Sequence, residues 1–399
     1  MLVIGEGFAY YVVNLFDAMP FFLRKVLQVF RLYKSPSRVY GLDILRAAAI
    51  LFVMWAHGTL LLPQDWATYA NMLSFDGVSI FFVLSGFLIG GILIKTVENN
   101  PANLKSLMNF WSRRWIRTLP NYFLILGLLV ALFLVFNLPM ETGALGKYFI
   151  FSQNLTTSHP AFYPEAWSLA VEEWFYLLIP LLVFGFKRFA GLSAKRSILL
   201  TAVLVILAVS IFRHYRFLHI DLHSFEQWDM FFRKQVFTRL DSIMYGVLAA
   251  YLNFYHTKAW NRHYLLMFVV GIMLHVFIRT MSVLGLNGFG VYFSNIVFAA
   301  GSIATALLLP FLSTIRSATG YVYKAITYIS LSSYSLYLVN LSVVQVWLLN
   351  IPIISEQHFL IRYILFWLIS LSLSLLIYKY FEIRITALRE KFKISRKLY

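Results

Sequence analysis

Three ionisable residues lie in one apolar segment near the start of the chain, YGLDILRAAAILFVMWAHG: Asp43, Arg46 and His57. Ionisable groups inside a membrane helix cost about 2.5–3.5 kcal/mol each, so they are candidates for function by default. Arg46 and His57 are eleven positions apart, which places them about 20° apart on a helix. Asp43 lies on nearly the same stripe and is spaced to pair with Arg46. The segment predicts either a polar face with a histidine base or a structural Asp–Arg cap beside a packed histidine.

A second apolar segment, AWSLAVEEWFYLLIP, carries two adjacent glutamates. Neighbouring residues on a helix point about 100° apart, so the two carboxylates cannot serve one site equally. Glu172 shares its face with Ser168 and Tyr176, and this polar stripe favours Glu172 as the site carboxylate. Glu173 has apolar neighbours and is expected nearer the membrane interface. The alternative is a carboxylate at a helix start that is favoured by the helix dipole.

A later segment, TRLDSIMYG, adds Arg239 and Asp241. Counted along their helices, His57, Glu172 and Asp241 all lie about 7–9 Å below the outer ends of their segments. Three ionisable groups at one level predict a single buried site.

An arginine cluster lies in FWSRRWIRTLPNYF, where Arg113, Arg114 and Arg117 fall within about one helical turn. Guanidinium groups bind phosphate through paired hydrogen bonds, so this cluster is suited to a phosphate-bearing ligand. The alternative is an ordinary cytoplasmic anchor of a membrane helix.

The elements that must position these residues are membrane helices. The chain has 399 residues, 60% of them hydrophobic and only 13% charged, whereas a soluble domain has about 25% charged residues. The formal charge of +17 fits basic residues at the cytoplasmic ends of helices and next to anionic lipid headgroups. No basic, aromatic surface domain supports nucleic-acid binding. The chain has no cysteine, which excludes disulfides, thiolate nucleophiles and cysteine-ligated metals.

The predicted fold is all-α, a polytopic bundle of about ten transmembrane helices with both termini cytoplasmic. Basic residues at alternate segment ends give this orientation. We expect an amphipathic interfacial segment over 1–38, a membrane domain over 39–382 and a basic tail over 383–399. The apolar segments, each near the roughly 20 residues that span a bilayer, are 42–63, 73–95, 119–138, 166–186, 197–213, 236–254, 264–283, 289–312, 323–349 and 358–381.

Taken in order, these segments resemble the membrane acyltransferase-3 family. The resemblance covers residues 40 to about 340. It depends on six stretches, YGLDILRAAAILFVMWAHG, GVSIFFVLSGFLIGG, RRWIRTLPNYF, AWSLAVEEWFYLLIP, RLDSIMYG and ISLSSYSLYL. The ordered set is specific, above all the arginine followed eleven positions later by a histidine.

The resemblance implies an enzyme of the plasma membrane that moves an acyl group, usually acetyl, from cytoplasmic acyl-CoA to a hydroxyl. The acceptor would be a sugar, a polysaccharide precursor or a small natural product. By the resemblance, His57 is the catalytic histidine, as general base or transient acyl carrier. The remaining assigned residues are Glu172, Arg46 and Asp241 for catalysis, Arg113, Arg114, Arg117 and Tyr122 for binding acyl-CoA, and Asp43, Ser168, Tyr176 and Arg239 for binding substrate.

Two positions depart from the family pattern. Ser79 stands where members often carry an acidic residue, and Asn340 stands where many have a histidine. We expect both departures to lie away from the catalytic centre. No metal is expected, because the histidines near position 220 match no ligand spacing. The alternative function is a proton-coupled transporter or exporter of a sugar-like substrate that uses the same buried ionisable residues.

Overall fold

The computed structural model describes residues 38–139, 142–284 and 290–388. Within those ranges the chain forms helices and turns, with no strand, as the all-α prediction requires. The interfacial segment predicted for the first 38 residues lies almost wholly outside the described residues, as does most of the basic tail.

Sixteen α-helices occur in the described residues. They are α1 (Tyr40–Gly58), α2 (Gln64–Met72), α3 (Gly77–Asn99), α4 (Leu104–Val135), α5 (Thr142–Phe149), α6 (Ala166–Phe189), α7 (Ala194–His219), α8 (Phe225–Trp228), α9 (Leu240–Tyr255), α10 (Thr257–Arg262), α11 (Tyr264–Leu284), α12 (Val297–Thr314), α13 (Tyr321–Val339), α14 (Pro352–Ser355), α15 (Phe359–Ile377) and α16 (Ile383–Ala387). Four wider π-helical segments extend or join them: Asp229–Arg233, Tyr292–Ile296, Asn340–Trp347 and Tyr378–Glu382.

Nine helical stretches of the described chain are long and apolar enough to cross a membrane. They correspond to nine of the ten predicted segments, and the chain is a multi-pass membrane protein. The remaining segment, predicted over 236–254, forms the 16-residue helix α9. Helix α9 begins later than predicted because the residues before it are not helical. Among them, the Val236 amide donates to the carbonyl of Asn154, which is distant in the sequence. At 1.5 Å per residue α9 is about 24 Å long, shorter than a bilayer core of about 30 Å.

Helix α4 starts 15 residues before its predicted segment and includes the whole arginine cluster. Apolar runs locate the membrane-embedded part of a helix, and the helix here continues beyond it through polar residues. Pro120 lies inside α4 without ending it.

Helix α3 lies against α9, where two glycines bring the backbones together. A Cβ on Gly86 would lie 1.9 Å from the Ile243 carbonyl oxygen, and one on Gly246 would lie 2.1 Å from that of Val83. Small residues at such positions let membrane helices pack closely.

Helices α1 and α13 run in parallel, as two contacts show. The Ser330 hydroxyl donates to Asp43 (2.8 Å) at one end, and the side chains of His57 and Asn340 meet at the other. We call the end with Asp43 and Ser330 the arginine end, because Arg46 lies there. The end with His57 and Asn340 is the histidine end. Arg38, the first described residue, lies at the arginine end, since it bonds to Ser330. Glu382 contacts Ser335, midway along α13 between Ser330 and Asn340. Which end is cytoplasmic stays a prediction.

Candidate active site

A cavity of about 130 Å³ lies between α1, α3, α4, α6, α13 and the segment Tyr378–Glu382. Its charged lining residues are Arg46, Arg114, Arg117, Glu172 and Glu382. Three cations and two carboxylates from four elements therefore face one space. Because guanidinium groups are well suited to phosphate and carboxylate ligands, this space can receive an anionic group.

The other walls of the cavity differ in polarity. Helix α3 contributes an apolar wall, made of Val78, Phe81, Phe82, Leu84, Leu88 and Ile89. Hydroxyl groups from α6 and α13 also line the cavity, from Ser168, Tyr176, Ser330, Ser333, Tyr334 and Tyr337. The cavity therefore extends from the arginine end toward Ser168 and Tyr337, which lie nearer the histidine end. Such a lining suits a ligand with an anionic head and a long, mostly uncharged arm.

The arginine cluster divides between two faces of α4. Arg114 and Arg117, three residues apart, line the cavity, whereas Arg113 does not. Helical geometry explains the division, because residues three apart share a face and adjacent residues do not. Thr118 directly follows Arg117, and its hydroxyl donates to Glu173.

Glu172 and Glu173 have separate roles, as their positions on the helix predicted. Glu172 lines the cavity and accepts a hydrogen bond from the Tyr176 hydroxyl at 2.9 Å. That hydroxyl also lies 3.0 Å from Ser85 on α3. Glu173 is buried between α6 and α4 and accepts from Thr118 at 2.6 Å. The Thr118 hydroxyl thus gives Glu173 a buried partner, and its level relative to the membrane interface stays a prediction.

Glu382 is a charged cavity residue that the sequence reasoning missed. Its carboxylate accepts hydrogen bonds from Ser335 of α13 (2.6 Å) and Asn121 of α4 (2.8 Å). The sequence carries a signal for Glu382, because an acidic residue at the end of an apolar segment is costly in the membrane and needs a partner. The expected boundary between the membrane domain and the tail falls at residue 382, which hides this signal.

His57 lies at the other end of α1 and does not line the cavity. Its ring nitrogen Nδ1 is 2.5 Å from the side-chain oxygen of Asn340. The expectation that the departure at position 340 lies away from the histidine is therefore wrong. Asn340 follows Tyr337 by three residues, a rise of about 4.5 Å. The His57 partner thus lies one helical turn beyond the cavity wall.

Asp43 is buried and pairs with Arg38, with a further hydrogen bond from Ser330. The sequence predicted Arg46 as its partner. Arg46 instead lines the cavity, while Asp43 does not. The pairing with Arg38 could not be read from helical spacing, because Arg38 precedes the first helical residue.

Asp241 and Arg239 lie beside the cavity rather than in it. The Asp241 carboxylate forms an ion pair with Arg213 of α7 at 2.7 Å, and both side chains are almost fully buried. Arg239 donates to Ser79 at 2.6 Å and packs over the ring of Phe298. The level shared by His57, Glu172 and Asp241 does not correspond to one cavity, because of the three only Glu172 lines it.

Tyr122 belongs to an aromatic cluster on the far side of α4. Its hydroxyl donates to the Tyr148 carbonyl at 2.9 Å, and its ring stacks on Tyr163. Its side chain does not line the cavity.

A charged cluster lies on the connection between α8 and α9. Arg233 bridges Asp229 (2.8 Å) and Asp76 (3.1 Å), and Lys234 contacts Asp229 at 2.5 Å. Burial alone would raise the pKa of Asp229, but the charges of Arg233 and Lys234 hold it below its usual range. The two cations also act on the His57 ring. The two cations of this cluster are therefore matched by two carboxylates.

Comparison with known proteins identifies the family. A family profile described as an acyltransferase domain matches residues 39–379. The O-acetyltransferase OatA of Staphylococcus aureus is 30% identical over 184 residues, 43% of this chain and 29% of that protein. The putative peptidoglycan O-acetyltransferase YrhL of Bacillus subtilis is 35% identical over 187 residues, 42% of this chain and 28% of that protein.

The peptidoglycan O-acetyltransferase OatA of Listeria monocytogenes is 35% identical over 167 residues, 38% of this chain and 25% of that protein. The match thus covers less than a third of the length of each of these relatives. No solved structure matches the chain.

Proposed function

The chain belongs to this acyltransferase family, and on that premise we propose that it is a membrane O-acyltransferase. It transfers an acetyl group from acyl-CoA to a hydroxyl of a sugar or polysaccharide precursor in the plasma membrane. The relatives are named as O-acetyltransferases, two of them of peptidoglycan, and this favours acetyl and a cell-wall glycan.

The observation that carries the proposal is the asymmetric cavity. Three arginines lie at one end, an apolar wall runs along α3, and the hydroxyls of Ser168 and Tyr337 lie toward the other end. Acyl-CoA has the matching order of parts, with phosphates at one end, a long uncharged pantetheine arm and the thioester at the tip. A lining that repeats this order supports acyl-CoA as the donor.

In the proposed complex the CoA phosphates bind Arg46, Arg114 and Arg117, and the pantetheine arm follows α3. Charge-assisted hydrogen bonds from arginine to phosphate are the strong contacts of such a site. Arg46 and His57 are eleven residues apart on α1, a rise of about 16 Å. A long, flexible donor is needed to join a phosphate site at one end with a histidine at the other.

At the thioester, the acceptor hydroxyl attacks the carbonyl carbon while its proton passes to His57. The new C–O bond forms, the C–S bond breaks, and the CoA thiolate takes up a proton. In a second route the acetyl group is held transiently on the His57 ring before the acceptor takes it. Glu172 at the cavity wall is placed to fix the Tyr176 hydroxyl near the donor path.

The first experiment measures transfer of labelled acetyl from acetyl-CoA by the protein in nanodiscs, using a peptidoglycan fragment as acceptor. We expect His57→Gln to lower kcat by about 10²- to 10⁴-fold, the usual size of general-base catalysis, with acetyl-CoA binding kept. His275→Gln is the matched control, because the His275 ring bonds to Thr305, whereas the His57 ring contacts Asn340. Full activity in His57→Gln would remove the histidine from the mechanism.

A second experiment tests the donor site. We expect Arg117→Gln to raise KM for acetyl-CoA by about 10- to 100-fold, the loss of one charge-assisted hydrogen bond of roughly 1.5–3 kcal/mol. Arg113→Gln removes the same charge from the same turn of α4 but from outside the cavity, so its KM should stay within about twofold. Equal effects of the two variants would mean that the cavity is not the donor site.

The transporter alternative needs the buried ionisable groups to line one path. Asp241 instead forms a buried ion pair with Arg213, and neither Asp241 nor His57 lines the cavity. Vesicle uptake of a sugar without any use of acetyl-CoA would favour transport over acyl transfer.

A further inference from the structure

The π-helical segment Asn340–Trp347 continues α13 and contacts α1 twice. The Asn340 side chain meets the His57 ring, and the Gln345 side chain donates to the His57 main-chain carbonyl at 3.2 Å. In an α-helix, residues five apart point about 140° away from each other. The i to i+5 hydrogen bonds of a π-helix bring such residues toward one face. The wider helix therefore lets both amides reach the same residue.

The Asn340 amide has a fixed orientation. Its nitrogen donates to the carbonyls of Leu336 and Tyr337, both at 2.8 Å. Both of its N–H groups are thus used, and its oxygen must be the atom that faces Nδ1 of His57. An amide oxygen only accepts, so Nδ1 carries the proton. In a neutral imidazole the other nitrogen, Nε2, is then the unprotonated one.

The π-helical segment is itself anchored. The Glu165 carboxylate accepts hydrogen bonds from the amides of Leu341 (3.1 Å) and Ser342 (2.6 Å), and from the Ser342 hydroxyl. The Tyr337 hydroxyl donates to the Glu165 carbonyl at 3.1 Å. Glu165 is buried and immediately precedes α6, so α6 holds the part of α13 that contacts His57.

We propose that Asn340 is a positioning residue of the acyl-transfer reaction: it holds His57 in the tautomer with the proton on Nδ1, so that Nε2 is the base or the acyl carrier. Gln345 fixes the main chain of the same residue, and Glu165 fixes the segment that bears both amides. The inference rests on the proposed function, and it predicts the tautomer independently of activity.

The direct test is the nitrogen-15 NMR spectrum of histidine-labelled protein in nanodiscs, with the His57 signals assigned by their loss in His57→Gln. In the parent we expect a protonated Nδ1 and an unprotonated Nε2 near neutral pH. In Asn340→Leu the Nδ1 partner is gone, and the two tautomers should mix. A parent protein with its proton on Nε2 overturns the proposal whether or not it transfers acetyl.

The kinetic test uses three variants. Asn340→Leu should lower kcat about 10-fold, the loss of one hydrogen bond of roughly 1.5 kcal/mol, with KM for acetyl-CoA unchanged. Asn340→Asp keeps an acceptor and adds a negative charge that favours the imidazolium, so the acidic limb of the pH–rate profile should move to higher pH. Arg233 and Lys234 are close enough to act electrostatically on the same ring and are left in place in all variants.

Asn295→Leu is the control, because Asn295 is also in a π-helical segment but bonds to Ser294. Its kcat and pH profile should match the parent. If Asn340→Leu does not fold, the near-isosteric Asn340→Asp still decides the question. An unmoved pH profile in that variant, with the parent active, means that Asn340 does not contact the working base. An inactive parent with the predicted tautomer leaves the proposal standing and refutes the acyltransferase function instead.

Discussion

Gly86→Ala should separate α3 from α9 and destabilise the protein. The added Cβ would lie 1.9 Å from the Ile243 carbonyl oxygen, whereas ordinary contact begins at 3.4 Å. The α9 backbone must therefore retreat by about 1.5 Å. Overpacking a tight core costs about 1–3 kcal/mol, and the obstacle here is backbone, which cannot rotate away. We expect a loss of at least about 2 kcal/mol, measured as unfolding by SDS titration from mixed micelles.

Gly91→Ala on the same helix is the matched control, since a Cβ there would meet nothing within 4 Å. It removes glycine's conformational entropy cost and should stabilise by about 0.5–1 kcal/mol. The two variants carry the same chemical change five residues apart and should shift stability in opposite directions. If Gly86→Ala were as stable as Gly91→Ala, the close approach of α3 and α9 would be wrong.

Three further variants test the charged groups. Asp241→Asn leaves Arg213 buried without its partner and should cost about 3–5 kcal/mol in the same SDS titration. Burial lowers the pKa of His159 from 6.5 to about 4, so its contribution to stability is complete above pH 6.5 and is lost as pH falls toward 4. His159→Gln should therefore flatten the pH dependence of thermal stability over that interval. Glu382→Gln removes a carboxylate from the proposed phosphate site, so KM for acetyl-CoA should fall severalfold, and an increase in KM would contradict the assignment.

The membrane helices were largely predictable from the sequence, because apolar length is a local property. Nine of the ten segments correspond to helices able to span the membrane. The errors lie where polar residues continue a helix, as at the start of α4. Other errors lie where a tertiary contact shortens a helix. Before α9, the first predicted helical turn instead contacts the Asn154 carbonyl through the Val236 amide.

Helical periodicity also indicated which side chains share a face. Glu172 lines the cavity together with Ser168 and Tyr176, as their spacing of four residues on α6 predicts. The same rule separates Arg113 from Arg114, although the sequence analysis treated the cluster as one unit. Positions on one helix follow from counting residues, whereas contacts between distant helices do not.

The Asn340 contact illustrates that limit. It joins residues 283 positions apart and depends on the π-helical register that follows Val339. A count at 100° per residue would point Gln345 away from Asn340, so no periodicity argument would place both on His57. The departure from the family pattern at position 340 was visible, but its meaning required the helix that faces it.

The level of a residue in the bilayer can be counted along its helix, but the direction it faces depends on packing. Counting residues places His57, Glu172 and Asp241 at one level, which predicts one site. The structure gives them three sets of partners: Asn340, Tyr176 and Arg213. Residues at equal depth in the bilayer therefore need not belong to one site, because they can face different partners. The cavity defines the site instead. It starts at the arginine end and comes within one helical turn of Asn340, the partner of His57. A reaction arranged along that direction needs the phosphates of its donor and its base at different depths, as Arg46 and His57 are on α1.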